Sequence, residues 1–176
     1  MFTVLASLWS FSGYALNLDG TIFDEVGREK GLDPKILYAI ALAESAYSPK
    51  NNGWVSPYIY TLRTPTQPYY SNNLEQAKKT LATLLKQTES IDVGVMQINV
   101  KWHKQRVHSP EDLLDLRTNL AVGADILNER LLACRGDWKK AIGQYHSFDP
   151  ERGRRYAELV LNIFSSLDSK NDIIYW

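Results

Sequence analysis

Glu44 is a carboxyl group at a position where the chain gives little reason to keep one. It closes the run Asp33-Pro-Lys-Ile-Leu-Tyr-Ala-Ile-Ala-Leu-Ala-Glu44-Ser45. Asp33 is a good N-cap and Pro34 a good first helical residue, so a helix is expected to start there. Leu37, Ile40, Ala41 and Glu44 then fall on one face of that helix. A carboxyl group on an apolar face is costly unless it is used or paired. Burial and the negative end of the helix dipole both favour its neutral form. A carboxylic acid held protonated in this way can donate its proton to a leaving oxygen near neutral pH. The plainer alternative is an ordinary Glu at a helix end, paired with a nearby Arg or Lys.

A second segment follows, Ser90-Ile-Asp-Val-Gly-Val-Met-Gln-Ile-Asn99. Further on come Asn119-Leu-Ala-Val-Gly-Ala-Asp-Ile-Leu127 and Ala141-Ile-Gly-Gln-Tyr145-His-Ser147. With Glu44-Ser45, these four motifs in this order resemble the lytic transglycosylases with an SLT domain, within the lysozyme-like superfamily. The resemblance runs from about Thr21 to about Leu161. A Tyr-rich insertion before the Gly-x-Met-Gln segment, and Tyr-His-Ser where others read Tyr-Asn-Ala, resemble the small members associated with conjugation and secretion systems.

The resemblance implies a mainly α (α+β) lysozyme-like fold with a small β-hairpin element. It implies cleavage of the β-1,4 bond between N-acetylmuramic acid and N-acetylglucosamine in peptidoglycan, without water, giving a 1,6-anhydro product. Glu44 matches the catalytic acid, which afterwards serves as base. Ser45 matches a residue that hydrogen-bonds near the acid. Gln97 and Asn99 match cleft positions, where amides bind acetamido groups without adding charge. Met96 belongs to the same segment. Tyr145 matches a tyrosine beside the acid, although a helix-face aromatic that simply fills the core is the commoner use of such a residue.

Asp92 keeps a second chemistry open. The segment from Ser90 to Trp102 also resembles animal-type lysozymes, in which the corresponding Asp is the second carboxylate. Retaining hydrolysis needs the two carboxyl groups about 5–5.5 Å apart and inverting hydrolysis about 6.5–9.5 Å. The alternative for Asp92 is a turn residue ahead of Gly94. A third reading is a peptidoglycan-binding or structural component without catalysis, against which the retained Glu44 argues.

The elements that must position these residues read as helices over Ile22 to about Lys30, the Glu44 segment, Leu74 to about Thr88, Arg117 to about Cys134, Asp137 to about His146, and Pro150 to about Leu167. Gly31 and Asn72 or Asn73 serve as caps. Trp54, Tyr58, Tyr60 and Leu62 alternate as in a strand, with Thr64-Pro-Thr-Gln67 as its turn. The tyrosines around it, with Tyr69 and Tyr70, either seal that hairpin or stack on sugar rings, and packing is the commoner use. Lys101, His103 and His108 are candidate contacts for muramyl-peptide carboxylates, with simple exposure as the plainer reading.

With 176 residues and 44% hydrophobic content, the chain has enough material for one domain with a real core. A net charge of zero argues against general nucleic-acid binding. No Cys-x-x-Cys pair or clustered His points to a metal, no cofactor is expected, and the lone Cys134 reads as a small buried hydrophobe. Residues 1–15 read as a signal peptide lacking its basic start, processed after Ala15, with residues 16–176 as the enzyme domain. A periplasmic or secreted monomer is therefore expected. Its partners would be peptidoglycan strands and a conjugation or secretion apparatus.

Overall fold

The computed structural model describes residues 16–48 and 55–168. The expected leader, Trp54 and the C-terminal Ile173–Trp176 segment lie outside the described residues. Among those described, seven α-helices and small antiparallel sheets make up the fold. It is the mainly α architecture with a minor β element that the sequence implies.

Local chemistry sets the helix ends. Helix α1 (Ile22–Lys30) is capped by the Thr21 side chain and stops at Gly31, whose φ of 67° is left-handed. Helix α2 (Pro34–Ser45) starts at Asp33, whose carboxylate accepts from Lys35 N. Helix α3 (Leu74–Leu85) starts at Asn73, and α5 (Leu116–Ala133) at Asp115. Helix α6 (Trp138–His146) starts at Asp137, and α7 spans Pro150–Asp168. The single turn α4 is Val100–His103.

Helix α2 is the centre of the molecule. Ile36 through Ala41 are all buried, so α2 is apolar on every side and not only along the stripe its spacing predicts. It packs against α1 and α7, and Phe23 meets Tyr38 edge to face at 5.2 Å. Truncating a wholly buried residue such as Leu37 should cost about 2–5 kcal/mol.

The β structure divides in two. Strands β1 (Ala46–Tyr47) and β2 (Ser56–Pro57) pair with each other. Strands β3 (Thr61–Arg63), β4 (Pro68–Tyr70), β5 (Asp92–Val93) and β6 (Ile98–Asn99) form an antiparallel sheet in the order β4-β3-β5-β6. The expected turn over 64–67 is present, closed by Thr64 N to Gln67 O. The strand before it begins only at Thr61, because Tyr58 is drawn into another contact. Its ring lies 4.8 Å from Tyr47 and 5.9 Å from Tyr70, and its hydroxyl donates to Ser71 O.

Candidate active site

Glu44 stands in the last turn of α2, with its side chain only 14% exposed. It lines a cavity of about 930 Å³ together with Arg63, Asp92, Gln97, Asn99, Tyr145 and His146. Such a volume accommodates a ligand of several sugar rings. The opposite wall comes from α4, the end of α5 and the loop after α6.

One loop, Val93–Gln97, carries much of the site, and three helices hold it. From α2, Ser45 Oγ lies 3.0 Å from Val95 O and 2.9 Å from Ala41 O. From α5, the buried amide of Asn119 accepts from Met96 N and donates to Val93 O and Leu113 O, all at 2.8 Å. From α6, Tyr145 donates its hydroxyl to Met96 O at 2.8 Å. The motifs spaced along the chain thus converge on one short stretch of backbone. Gly94 is required there, because its φ is +76° and a Cβ would collide with the Asn119 amide. Gly123 on α5 makes room for Met96, whose side chain would otherwise meet a Cβ at 2.7 Å.

This arrangement sorts the residues singled out in the sequence. Ser45 and Met96 are buried supports, 3% and 0% exposed, and neither lines the cleft. Gln97 does line it, held at a strained φ of 45° by its own Nε2, which donates to Gly94 O at 2.8 Å. Asn99 pairs with Asp92 across β5 and β6 and donates Nδ2 to Asp92 Oδ1 at 2.7 Å. Gln97 Oε1 and Asn99 Oδ1 find no hydrogen bond within the protein.

The electrostatics centre on the two carboxylates. Burial raises the Asp92 carboxyl above its ordinary value, and the Glu44 charge adds to this. The Asn99 hydrogen bond, Arg63 and His146 oppose the shift. His146 Nδ1 is 3.7 Å from Glu44 Oε1. Nearness to Glu44 raises the imidazole above its ordinary value, helped by Asp92 and opposed by burial and Arg152. Burial, then the charges of Glu44 and Asp92, push the Tyr145 hydroxyl well up, so it stays a hydrogen-bond donor.

Several neighbours carry no signal in the sequence reading. Tyr156 of α7 is buried, stacks on His146 at 4.5 Å with rings 5° apart, and feels the Glu44 charge. Helix periodicity marks Tyr156 only as a core aromatic. Trp102 and Phe148 are the exposed aromatics of the cleft, whereas Tyr47, Tyr58 and Tyr70 pack on one another. Tyr60 lines a separate cavity of about 380 Å³. Of the basic candidates, His103 lines the cleft and is held below its ordinary value by burial and Arg106, while Lys101 lies over the Trp102 ring. Cys134 is buried beside Gln144, as its apolar setting predicts.

Among the described residues no group of three or more His, Cys, Asp or Glu could hold a metal ion, and no helix is long and apolar enough to cross a membrane. No curated protein and no solved structure matches the chain. The family model described as the Transglycosylase SLT domain matches residues 21–155, most of the 176 residues and every element that braces the loop over Glu44. The chain is a member of the Transglycosylase SLT domain family.

Proposed function

We propose that this protein cleaves the β-1,4 bond between N-acetylmuramic acid and N-acetylglucosamine as a lyase, with Glu44 as acid and then base. Membership of the family carries a peptidoglycan-degrading, transglycosylase-type function in general. The observation that supports the finer reading is the Glu44 carboxyl group, mostly buried at the wall of a cavity of about 930 Å³. Glu44 gives its proton to the glycosidic oxygen as the C1–O bond breaks. The acetamido oxygen of the muramyl residue takes the vacated bond at C1, in the substrate-assisted manner. The Glu44 carboxylate then accepts the C6 hydroxyl proton while O6 displaces the acetamido oxygen, closing the 1,6-anhydro ring. Gln97 and Asn99 line the cavity and bring uncharged amides to the sugar's acetamido groups. Tyr145 acts through the backbone of Met96, holding the loop that carries Gln97.

Asp92 supports a second reading. It shares the cavity with Glu44, so hydrolysis with Asp92 as second carboxylate is the competing outcome. The wider role is local opening of the wall for a conjugation or secretion apparatus, by a chain exported after Ala15.

Digestion of purified sacculi, with products weighed by mass spectrometry, tests the lyase. Muropeptides lighter by one water than reducing ones are expected, and Glu44→Gln should abolish them while leaving sacculus binding intact. Reducing products would instead assign hydrolysis and a role to Asp92. Binding without any product from the wild type would favour a structural component.

A further inference from the structure

One stretch of the cleft wall is built from Arg106, Glu129 and Arg130, the exposed rings of Trp102 and Phe148, and His103. Its charges are not balanced. Glu129 is occupied by Arg106 through two hydrogen bonds of 2.8 and 2.7 Å. Arg130 reaches the same carboxylate only at 3.9 Å, and its side chain remains about a quarter exposed. His103 is held toward its neutral form. One guanidinium is therefore in excess, and it belongs to Arg130. Its central carbon lies 5.3 Å from the centre of the Phe148 ring, which is 71% exposed. An apolar platform beside a planar guanidinium held only by a long ion pair suits a sugar that carries a carboxylate.

The Glu44 end has a different balance. There Asp92 feels Arg63 and His146, His146 stands 3.7 Å from Glu44, and no guanidinium is left over. An anionic substituent is thus drawn towards Arg130.

Resting on the peptidoglycan reading above, we propose that Arg130 and Phe148 form a subsite for a muramyl residue, with Phe148 under the ring and Arg130 on a carboxylate of its 3-O-lactyl arm. That carboxylate is the lactyl group itself on a peptide-free strand, or a stem-peptide carboxylate on a substituted one. Only every second sugar of the strand bears this arm. A carboxylate reader fixed relative to Glu44 therefore also sets the register of the strand, and so which of its two kinds of glycosidic bond meets the acid.

The full chain carrying Glu44→Gln is titrated calorimetrically with peptide-bearing strands, peptide-free strands and a chitooligosaccharide of equal length. Adding Arg130→Met should weaken the carboxylated ligands about tenfold and leave the chitooligosaccharide unchanged. Adding Arg130→Lys should recover part of the loss, and Phe148→Ala should weaken all three. A loss confined to peptide-bearing strands assigns the stem carboxylate, and a loss on peptide-free strands assigns the lactyl group. An equal effect of Arg130→Met on all three ligands, or none on any, overturns the subsite. Should Arg130→Met fail to fold, salt decides on the unaltered cleft. Raising it from about 50 to about 500 mM must weaken only the carboxylated ligands, and equal sensitivity of all three overturns the proposal. If the Glu44→Gln chain binds none of the three, the peptidoglycan reading falls and the subsite with it.

Discussion

His146 gives Glu44 a neighbour whose charge changes near neutrality. Its imidazole stacks on Tyr156 and faces Glu44 Oε1 at 3.7 Å. Asp92 of β5, Arg152 and Tyr156 of α7, and Tyr145 of its own helix complete the titratable surroundings. Because the folded imidazole is held above its unfolded value, its contribution to stability is full below the unfolded value and fades as pH rises through the folded one. The melting temperatures of wild type and His146→Gln should therefore differ at about pH 6 and converge by about pH 9. The side chain is nearly half exposed, so solvent screening keeps the difference small. A constant offset across that range would mean that His146 acts through stacking alone. In the rate profile, the same variant should remove the pH dependence of the near-neutral limb while sparing substrate binding.

Asn119 shows what an element contributes to a site it never touches. Its amide satisfies three backbone groups at once, and replacing it by Ala leaves one buried N–H and two carbonyls without that partner. A loss of about 3 kcal/mol or more is expected in urea unfolding. Gly94→Ala adds a left-handed strain and a collision with the same amide, for about 2 kcal/mol or more. Because both changes act on one contact, the double variant should cost clearly less than the sum, and additivity would refute a shared brace. A similar close fit joins α6 to α7, where a Cβ on Gly143 would lie 2.8 Å from Gly153 O. Gly143→Ala must separate the helices that bring His146 and Tyr156 together, so activity should fall further than the melting temperature alone explains.

The same elements show where sequence reading reaches and stops. Helix starts at Asp33, Asn73 and Asp137 were legible because a cap is a local interaction with a residue signature. Glu44, Asn119 and Tyr145 were legible as motifs, but not the loop on which Ser45, Asn119 and Tyr145 converge, since no periodicity encodes contacts over 23, 49 or 50 residues. Strands of two residues carry too little alternation to read, and Tyr58 left its expected strand for partners in two other segments. Tyr156, Phe148 and Arg130 went unread for the same reason: only the packing of α5, α6 and α7 makes them neighbours of the cleft.

At the scale of the molecule, the cleft is lined by side chains from α2, β3, β5, β6, α4, α5 and α6 together. One wall is the β3-β5-β6 sheet with the ends of α2 and α6, and the other is α4 with the end of α5 and the loop after α6. A glycan strand seated there bridges both walls, and only the folded chain presents them together. Binding must therefore stabilise folding by linkage, by about 2.7 kcal/mol at a ligand concentration one hundred times Kd. For a domain of this size each kcal/mol is worth about 2–4 °C. In the Glu44→Gln chain, which cannot consume its ligand, saturating glycan fragments should thus raise Tm by about 5–11 °C. The shift should grow with the logarithm of concentration. Fragments too short to reach from Glu44 to Phe148 should give less of it at equal concentration, because contact with only part of the cleft binds them more weakly. A shift independent of fragment length would confine binding to one wall and detach the aromatic end of the cleft from the reaction.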